Sequence, residues 1–252
     1  MRKYLLFCIL ILRLPSLSPA FAEDLNVAVA ANVQYTFQEL KSNFEDETDL
    51  TIREIIGSSG NLTSQIENGA PFDLFLSADM DYPEALYEKG LTHQKPEIYA
   101  YGTLVLWTLA NLDFSKGIEI LNDPIVRKVA IPNPQTSPYG RQAANVLKHY
   151  KIYDQLSRKL VYGESIAQVS QFIASRASDI GFTAKSIVLA PDMLKTGQWT
   201  EVEPDAYAPI AQGVVILKHA EEQNLEAAQK FYDFLFSEKA RAIYKKYGYV
   251  YP

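Results

Sequence analysis

Alternation of short β-rich runs with helical stretches is the feature that most narrows what this chain can become. "LNVAVAA" (25–31) is a continuous apolar run, as in a strand buried on both faces, and "VQYTFQELKSNFEDE" (33–47) puts Phe37, Leu40 and Phe44 on one helical face. "LTIREIIG" (50–57) predicts the second strand, with a helix over about 61–68. "FDLFLSA" (72–78) predicts the third, followed by the helix "DYPEALYEKG", which Gly90 closes. Three such units in succession predict an α/β fold with an open, mostly parallel sheet and helices on both faces.

A second series repeats the plan: "KVAIP" (128–132), a helix over about 139–149, "KLVYG" (159–163), a helix over about 166–176, then "DIGFTA" (179–184). Two unusually long extended runs, "YAYGTLVLWTL" (99–109) and "YAPIAQGVVILK" (207–218), flank it. The C-terminal helices carry the apolar stripe Leu225, Ala228, Phe231, Phe234 and Leu235. Two βα series and two long connections predict two lobes between which the chain crosses twice. The first lobe is 23–102 with 214–252 and the second is 103–213. A ligand cleft lies between such lobes, and a double crossing makes a hinge.

The N-terminus stands apart. Arg2 and Lys3 precede the apolar run Tyr4–Leu12, and a polar-to-small region ends at Ala20-Phe21-Ala22. That order predicts a signal peptide over 1–22, cleaved after Ala22, and an exported soluble protein. A membrane anchor is the rival, but nine apolar residues before Arg13 do not span a bilayer. Losing Arg2, Lys3 and Arg13 leaves 21 of the 24 Lys and Arg against 30 Asp and Glu, a net charge of −9 rather than −6. Cys8, the single cysteine, leaves with the leader, so neither disulfide nor thiolate chemistry is expected. An acidic chain without a basic patch argues against nucleic acid and anionic lipid as partners.

In an open α/β sheet, ligands bind beyond the carboxyl ends of the strands, where helices begin. The first such junction is "AANV", with Asn32. The second is "GSSGN" (57–61), with Ser58 and Ser59. The third is "NPQTSPYGR", where Pro138 suits a first helical position and Tyr139 and Gly140 follow. The fourth is "YGESIAQ", with Ser165 and Ile166. Each start carries unpaired N–H groups and about half a positive charge. Converging, they form an oxyanion site that needs no lysine. For any one of them a plain cap or turn is the commoner explanation of Asn, Ser and Gly, and it is the four together, in both halves of the chain, that favour binding. In "GSSGN" the two alternatives part on mutation: a cap serine supports stability, whereas a ligand-facing serine supports affinity and leaves the empty protein nearly unchanged.

"VAVAAN", "GSSGNLTSQIENGAPFDLFLSAD" and "PNPQTSPYGRQA" resemble the periplasmic molybdate-binding proteins of ABC transporters, and the order of elements matches from Leu25 to the C-terminal "YKKYGY". The resemblance implies the type II periplasmic-binding fold. It also implies capture of molybdate or tungstate for a membrane permease, a periplasmic location, a monomer, and no cofactor beyond the molybdenum inside the bound oxyanion. It further implies contacts at Asn32, where relatives often have Ser, at Ser59, and at the backbone N–H groups of Tyr139 and Ile166; Ser58, Gly140 and Ser165, at the same junctions, are additional candidate contacts. One departure is plain: many relatives place a ligand-contacting tyrosine where this chain has Ala184 in "GFTAKS".

Rival functions find less support. An enzyme needs a nucleophile–base pair or a metal cluster, and His93, His149 and His219 lie far apart with no H-E-x-x-H spacing. "GSSG" lacks the lysine of a phosphate-binding P-loop. Asp73, Asp79 and Asp81 are read as caps and a strand start rather than cation ligands, and the sixteen tyrosines as packing. Among oxyanions, phosphate keeps a proton and gains from a carboxylate acceptor, for which Glu164 is the nearest candidate. Sulfate, another tetrahedral oxyanion, needs donors only, as molybdate does, and only the resemblance chooses between them.

Overall fold

The computed structural model describes residues 24–193 and 195–251. The expected leader and its cleavage site lie outside them. The chain runs β1 (Asp24–Ala30), α1 (Gln34–Glu45), β2 (Thr51–Gly57), α2 (Ser59–Glu67), β3 (Leu74–Leu76), α3 (Asp81–Glu88) and β4 (Glu97–Gly102). After Thr103 it continues through β5 (Leu104–Thr108), β6 (Val129–Pro132), α4 (Pro138–His149), α5 (Tyr153–Leu156), β7 (Leu160–Gly163), α6 (Ile166–Ala174), β8 (Ile180–Ala184), α7 (Lys185–Val188) and β9 (Gln198–Glu201). It returns in β10 (Ile210–Ile216) and ends with α8 (Lys218–Gln223), α9 (Leu225–Leu235) and α10 (Glu238–Lys246).

Two five-stranded sheets result, ordered β2-β1-β3-β10-β4 and β7-β6-β8-β5-β9. Each carries a parallel half, β2-β1-β3 and β7-β6-β8, as the βα units require. Each also carries an antiparallel half, because β10 runs against β3 and β4, and β5 runs against β8 and β9. The expected mostly parallel sheet is therefore mixed. β5 and β10 enter their sheets from the crossover side, the side at which β3 and β8 end, so they must run the opposite way.

The two long extended runs behave differently from each other. Residues 99–109 break at Thr103 into β4 and β5, one in each sheet. The return strand lies wholly in the first sheet: Ile210, Ala211, Gln212 and Gly213, placed in the second lobe from sequence, pair with Gly102, Tyr101, Ala100 and Ile98 of β4. The chain thus re-enters the first lobe before Ile210. At the crossing, Gly102 is required by space, since a Cβ there would lie 2.1 Å from the Tyr139 hydroxyl.

Each lobe has its own core. In the first, Phe37 and Phe44 of α1 pack edge-on against Phe231 of α9, with centroids 5.8 and 4.9 Å apart. In the second, Leu104, Leu106, Val129, Ile131 and Phe182 from the sheet meet Ala143, Val146 and Leu147 of α4. Aromatic pairs of this kind add about 0.5–1.5 kcal/mol beyond the area they bury. These cores hold the strand ends, and hence the helix starts, in fixed positions along the cleft.

Candidate functional site

Three helices and one 3-10 turn begin at a single cavity between the lobes. Helix α2 starts two residues before the sequence period suggests, so Ser58 is its cap position and Ser59 its first residue. Opposite, Ser137 caps α4 and Ser165 caps α6, each accepting the third amide of its helix, Gly140 N and Gln168 N, at 3.4 Å. Such caps consume the third amide and leave the earliest ones. In α4 the first residue is Pro138, so the earliest N–H is that of Tyr139; in α6 it is that of Ile166.

The cavity is small, with a volume of about 10 Å³, and is lined by Asn32, Ser58, Ser59, Ser137, Tyr139 and Ile166, together with Gly57, Pro138 and three alanines. None of these side chains is charged. Organic ligands of drug size occupy about 300–1,000 Å³, so a space of this size selects a small solute. Of the residues singled out from sequence, Asn32, Ser58, Ser59, Tyr139 and Ile166 come together here. Gly140 and Ser165 lie one residue away, as the third position of α4 and the cap of α6.

The hydroxyl of Ser59 accepts from the backbone N–H of Ala78 at 2.9 Å, which fixes the oxygen and leaves its own proton to donate. The Tyr139 side chain turns away from the cavity. Its hydroxyl, beside the crossover, accepts at 3.1 Å from Nε2 of Gln212, a residue that does not line the cavity. Gln212 is fully buried and also accepts from Asn32 Nδ2 at 2.8 Å and from the Tyr99 hydroxyl at 2.9 Å. Asn32 Nδ2 donates as well to the Tyr249 hydroxyl at 3.2 Å, while Asn32 Oδ1 is buried with no partner. Burial pushes the Tyr99 and Tyr139 hydroxyls well above their usual range and Tyr249 up to about 12, so all three stay neutral. Ala184 is buried as the cap residue of α7 and does not line the cavity; Ser186, two residues on, donates to the Asn32 carbonyl at 2.6 Å.

A ring of contacts holds the lobes together around this space. Gly60 N donates to Thr136 O at 2.8 Å, the Tyr82 hydroxyl to Gln135 O at 3.2 Å, and Asn61 Nδ2 to Glu164 Oε1 at 2.6 Å. Arg141 pairs with Asp79 and, at 3.2 Å, with Asp81, its guanidinium lying 5.2 Å from the Tyr82 ring centroid. Burial pushes the Asp79 carboxyl up to about 6, against the opposing pull of Arg141. Glu164, the acidic candidate from sequence, is thus engaged by Asn61 at the rim.

Among the described residues no three His, Cys, Asp or Glu side chains are grouped to hold a metal ion. Asp73 instead accepts from Asn26 N at 2.8 Å and lies 3.0 Å from His219 Nδ1. His93 pairs with Glu221, and His149 lies edge-on to Tyr150. Sequence reasoning missed Ser137, Ala78, Gln212 and Tyr249. Ser137 did carry a signal, a Ser-Pro step opening a helix. Gln212 carried a weaker one, a lone polar residue in an apolar strand.

Two α/β lobes joined by a double crossover, with a small ligand cavity between them, define a binding protein of the type II periplasmic class. The profile of the family described as bacterial extracellular solute-binding protein matches residues 25–250. Molybdate-binding protein ModA of Azotobacter vinelandii is 38% identical over 231 residues, covering 91% of each chain. Molybdate-binding protein ModA of Rhodobacter capsulatus is 38% identical over 235 residues, covering 92% of this chain and 90% of its own. The solved structure of the Azotobacter vinelandii periplasmic molybdate-binding protein superposes with a TM-score of 0.84 at 34% identity, covering 90% of this chain and 99% of its own. The chain belongs to the bacterial extracellular solute-binding proteins and, within them, to the ModA family.

Proposed function

We propose that this protein captures molybdate, with tungstate as a near equivalent, in the interlobe cavity and delivers it to the membrane permease of an ABC transporter. The donors are the Ser59 hydroxyl and N–H and the backbone N–H groups of Tyr139 and Ile166, with Asn32 and Ser58 completing the contacts. The observation that carries this reading is the meeting of three helix starts in one small cavity whose lining has no charged side chain. A tetrahedral dianion without a proton needs donors on every side and no acceptor. Each hydrogen bond to a charged acceptor is worth about 1.5–3 kcal/mol, and more where closure removes water. At a mature net charge of −9, long-range attraction opposes capture, so these local donors must supply the affinity.

The working place of such a protein is the periplasm, reached by the leader 1–22 and cleavage after Ala22. The protein acts as a monomer that presents its loaded, closed form to the permease, and it carries its ligand without transforming it. No helix among the described residues is long and apolar enough to cross a membrane. Calorimetric titration of the mature protein with molybdate, tungstate, sulfate and phosphate tests the reading. Saturable binding of the first two is expected. Binding of none removes the transport assignment, binding of sulfate alone reassigns the cargo, and chemical turnover of any of them replaces binding with catalysis.

A further inference from the structure

The polar cluster behind the cavity contains a residue that no ligand can touch but that governs one that faces it. Gln212 sits at the irregularity in β10, between Gln212 and Gly213, where the chain re-enters the first lobe. Its carboxamide joins Asn32 and Tyr99 of that lobe to the hydroxyl of Tyr139 from the other. Asn32, which lines the cavity, therefore has one end of its amide held by Gln212 and Tyr249 and the other end, Oδ1, buried without a partner. A bare carbonyl oxygen there opposes an oxyanion.

The cluster has a second self-consistent arrangement, because a half-turn of an amide makes its nitrogen and oxygen trade places and so exchanges donor for acceptor within the same outline. With both amides turned, Gln212 Nε2 donates to Asn32 Oδ1 and to the Tyr99 hydroxyl. The Tyr139 hydroxyl then donates to Gln212 Oε1, and the Tyr249 hydroxyl to Asn32 Oδ1. The Asn32 carbonyl keeps its 2.6 Å bond from Ser186. Asn32 Oδ1 gains two donors, and Nδ2 turns both its protons to the cavity. The anion supplies the acceptor that makes this arrangement favourable.

We propose that Gln212 is a positioning residue for the ligand. By donating to Asn32 Oδ1 it turns the Asn32 amide donor onto the oxyanion, and through Tyr139 it ties that orientation to the closed pair of lobes. This rests on the molybdate reading above. It adds that the donor character of the back wall is set from β10, at the hinge, by a residue outside the contact shell.

The test compares molybdate binding by wild type, Gln212→Met, Asn32→Ala and the double variant. Losing the hydrogen bond that aligns a donor to a charged acceptor is expected to weaken binding about 10- to 150-fold in Gln212→Met. In the Asn32→Ala background the same change is expected to cost less than about threefold, because Gln212 acts through Asn32. Losses that multiply in the double variant, or unchanged affinity in Gln212→Met, overturn the proposal. A Gln212→Met protein that does not fold leaves a wild-type measurement to decide. On molybdate addition, the Asn32 side-chain amide protons should show NMR contacts to Ser59 and Ile166 rather than to Tyr249; retained contacts to Tyr249 overturn the proposal. Wild-type protein that binds no oxyanion fails before any variant is made, and that outcome overturns the molybdate reading and this inference together.

Discussion

Ser59→Ala separates a cradle from a turn, and the structure sets what each outcome is worth. Ser59 is the first residue of α2, not its cap, and its oxygen is already an acceptor for the Ala78 N–H. The substitution therefore acts twice. On the proposed reading it removes a hydroxyl donor to the anion, worth about 1.5–3 kcal/mol, so affinity should fall about 10- to 150-fold. It also deprives the Ala78 N–H of its acceptor. An orphaned buried donor costs about 1–3 kcal/mol, and the lower end applies because Ala78 lines the cavity, where water can replace the lost oxygen. About 1 kcal/mol corresponds to a fall of about 2–4 °C in the melting temperature of the ligand-free protein. From sequence alone a ligand-facing Ser59 would leave that temperature nearly unchanged; the Ala78 contact adds this cost. Calorimetric titration and thermal melts of the same variant give both numbers. A lowered melting temperature with wild-type molybdate affinity would refute the argument and leave Ser59 as a brace for the Ala78 amide.

Other expectations follow from the rim. A Cβ at Gly60 would sit 2.7 Å from the Tyr82 hydroxyl and 2.9 Å from Thr136 Cα across the cleft. Gly60→Ala should therefore hinder closure and weaken molybdate binding about 5- to 150-fold, while improving helix propensity in the open form by up to about 1 kcal/mol. Solution scattering should show a smaller ligand-induced contraction than in wild type, and wild-type affinity would count against it. Asp79 has its carboxyl raised from 3.8 to about 6 by burial. Its contribution to stability is complete below about pH 4 and is lost as pH rises through about 6. Asp79→Asn should flatten the melting-temperature profile across that window, and an unchanged slope would show that Asp79 does not titrate there.

How much of this was legible beforehand depends on how far each interaction reaches along the chain. Periodicity and cap chemistry are local, so the βα units could be read directly. A helix exposes its earliest N–H groups wherever it begins, so Asn32, Ser59, Tyr139 and Ile166 could be named without knowing how the lobes meet. The boundary of α2 was two residues off because Ser and Gly carry little periodic signal. That displacement matters, since it makes Ser58 rather than a later residue the cap.

The remaining features are products of docking. Asn32 meets residues 180 and 217 positions away, and Arg141 meets Asp79 from 62 positions away. No local pattern encodes such pairs, because a carboxamide or carboxylate finds its partner only after the two lobes have been brought face to face. The direction of β10 is of the same kind: its apolar pattern fits a buried strand in either direction, and the crossover makes it antiparallel and places Gln212 behind the site. The sequence alone therefore determined the two βα series and the positions of the helix starts, which are properties of backbone and neighbours. Tertiary structure decided which starts share one cavity, which way the Tyr139 hydroxyl points, and which buried amide stands behind Asn32, because those depend on long-range packing between the lobes.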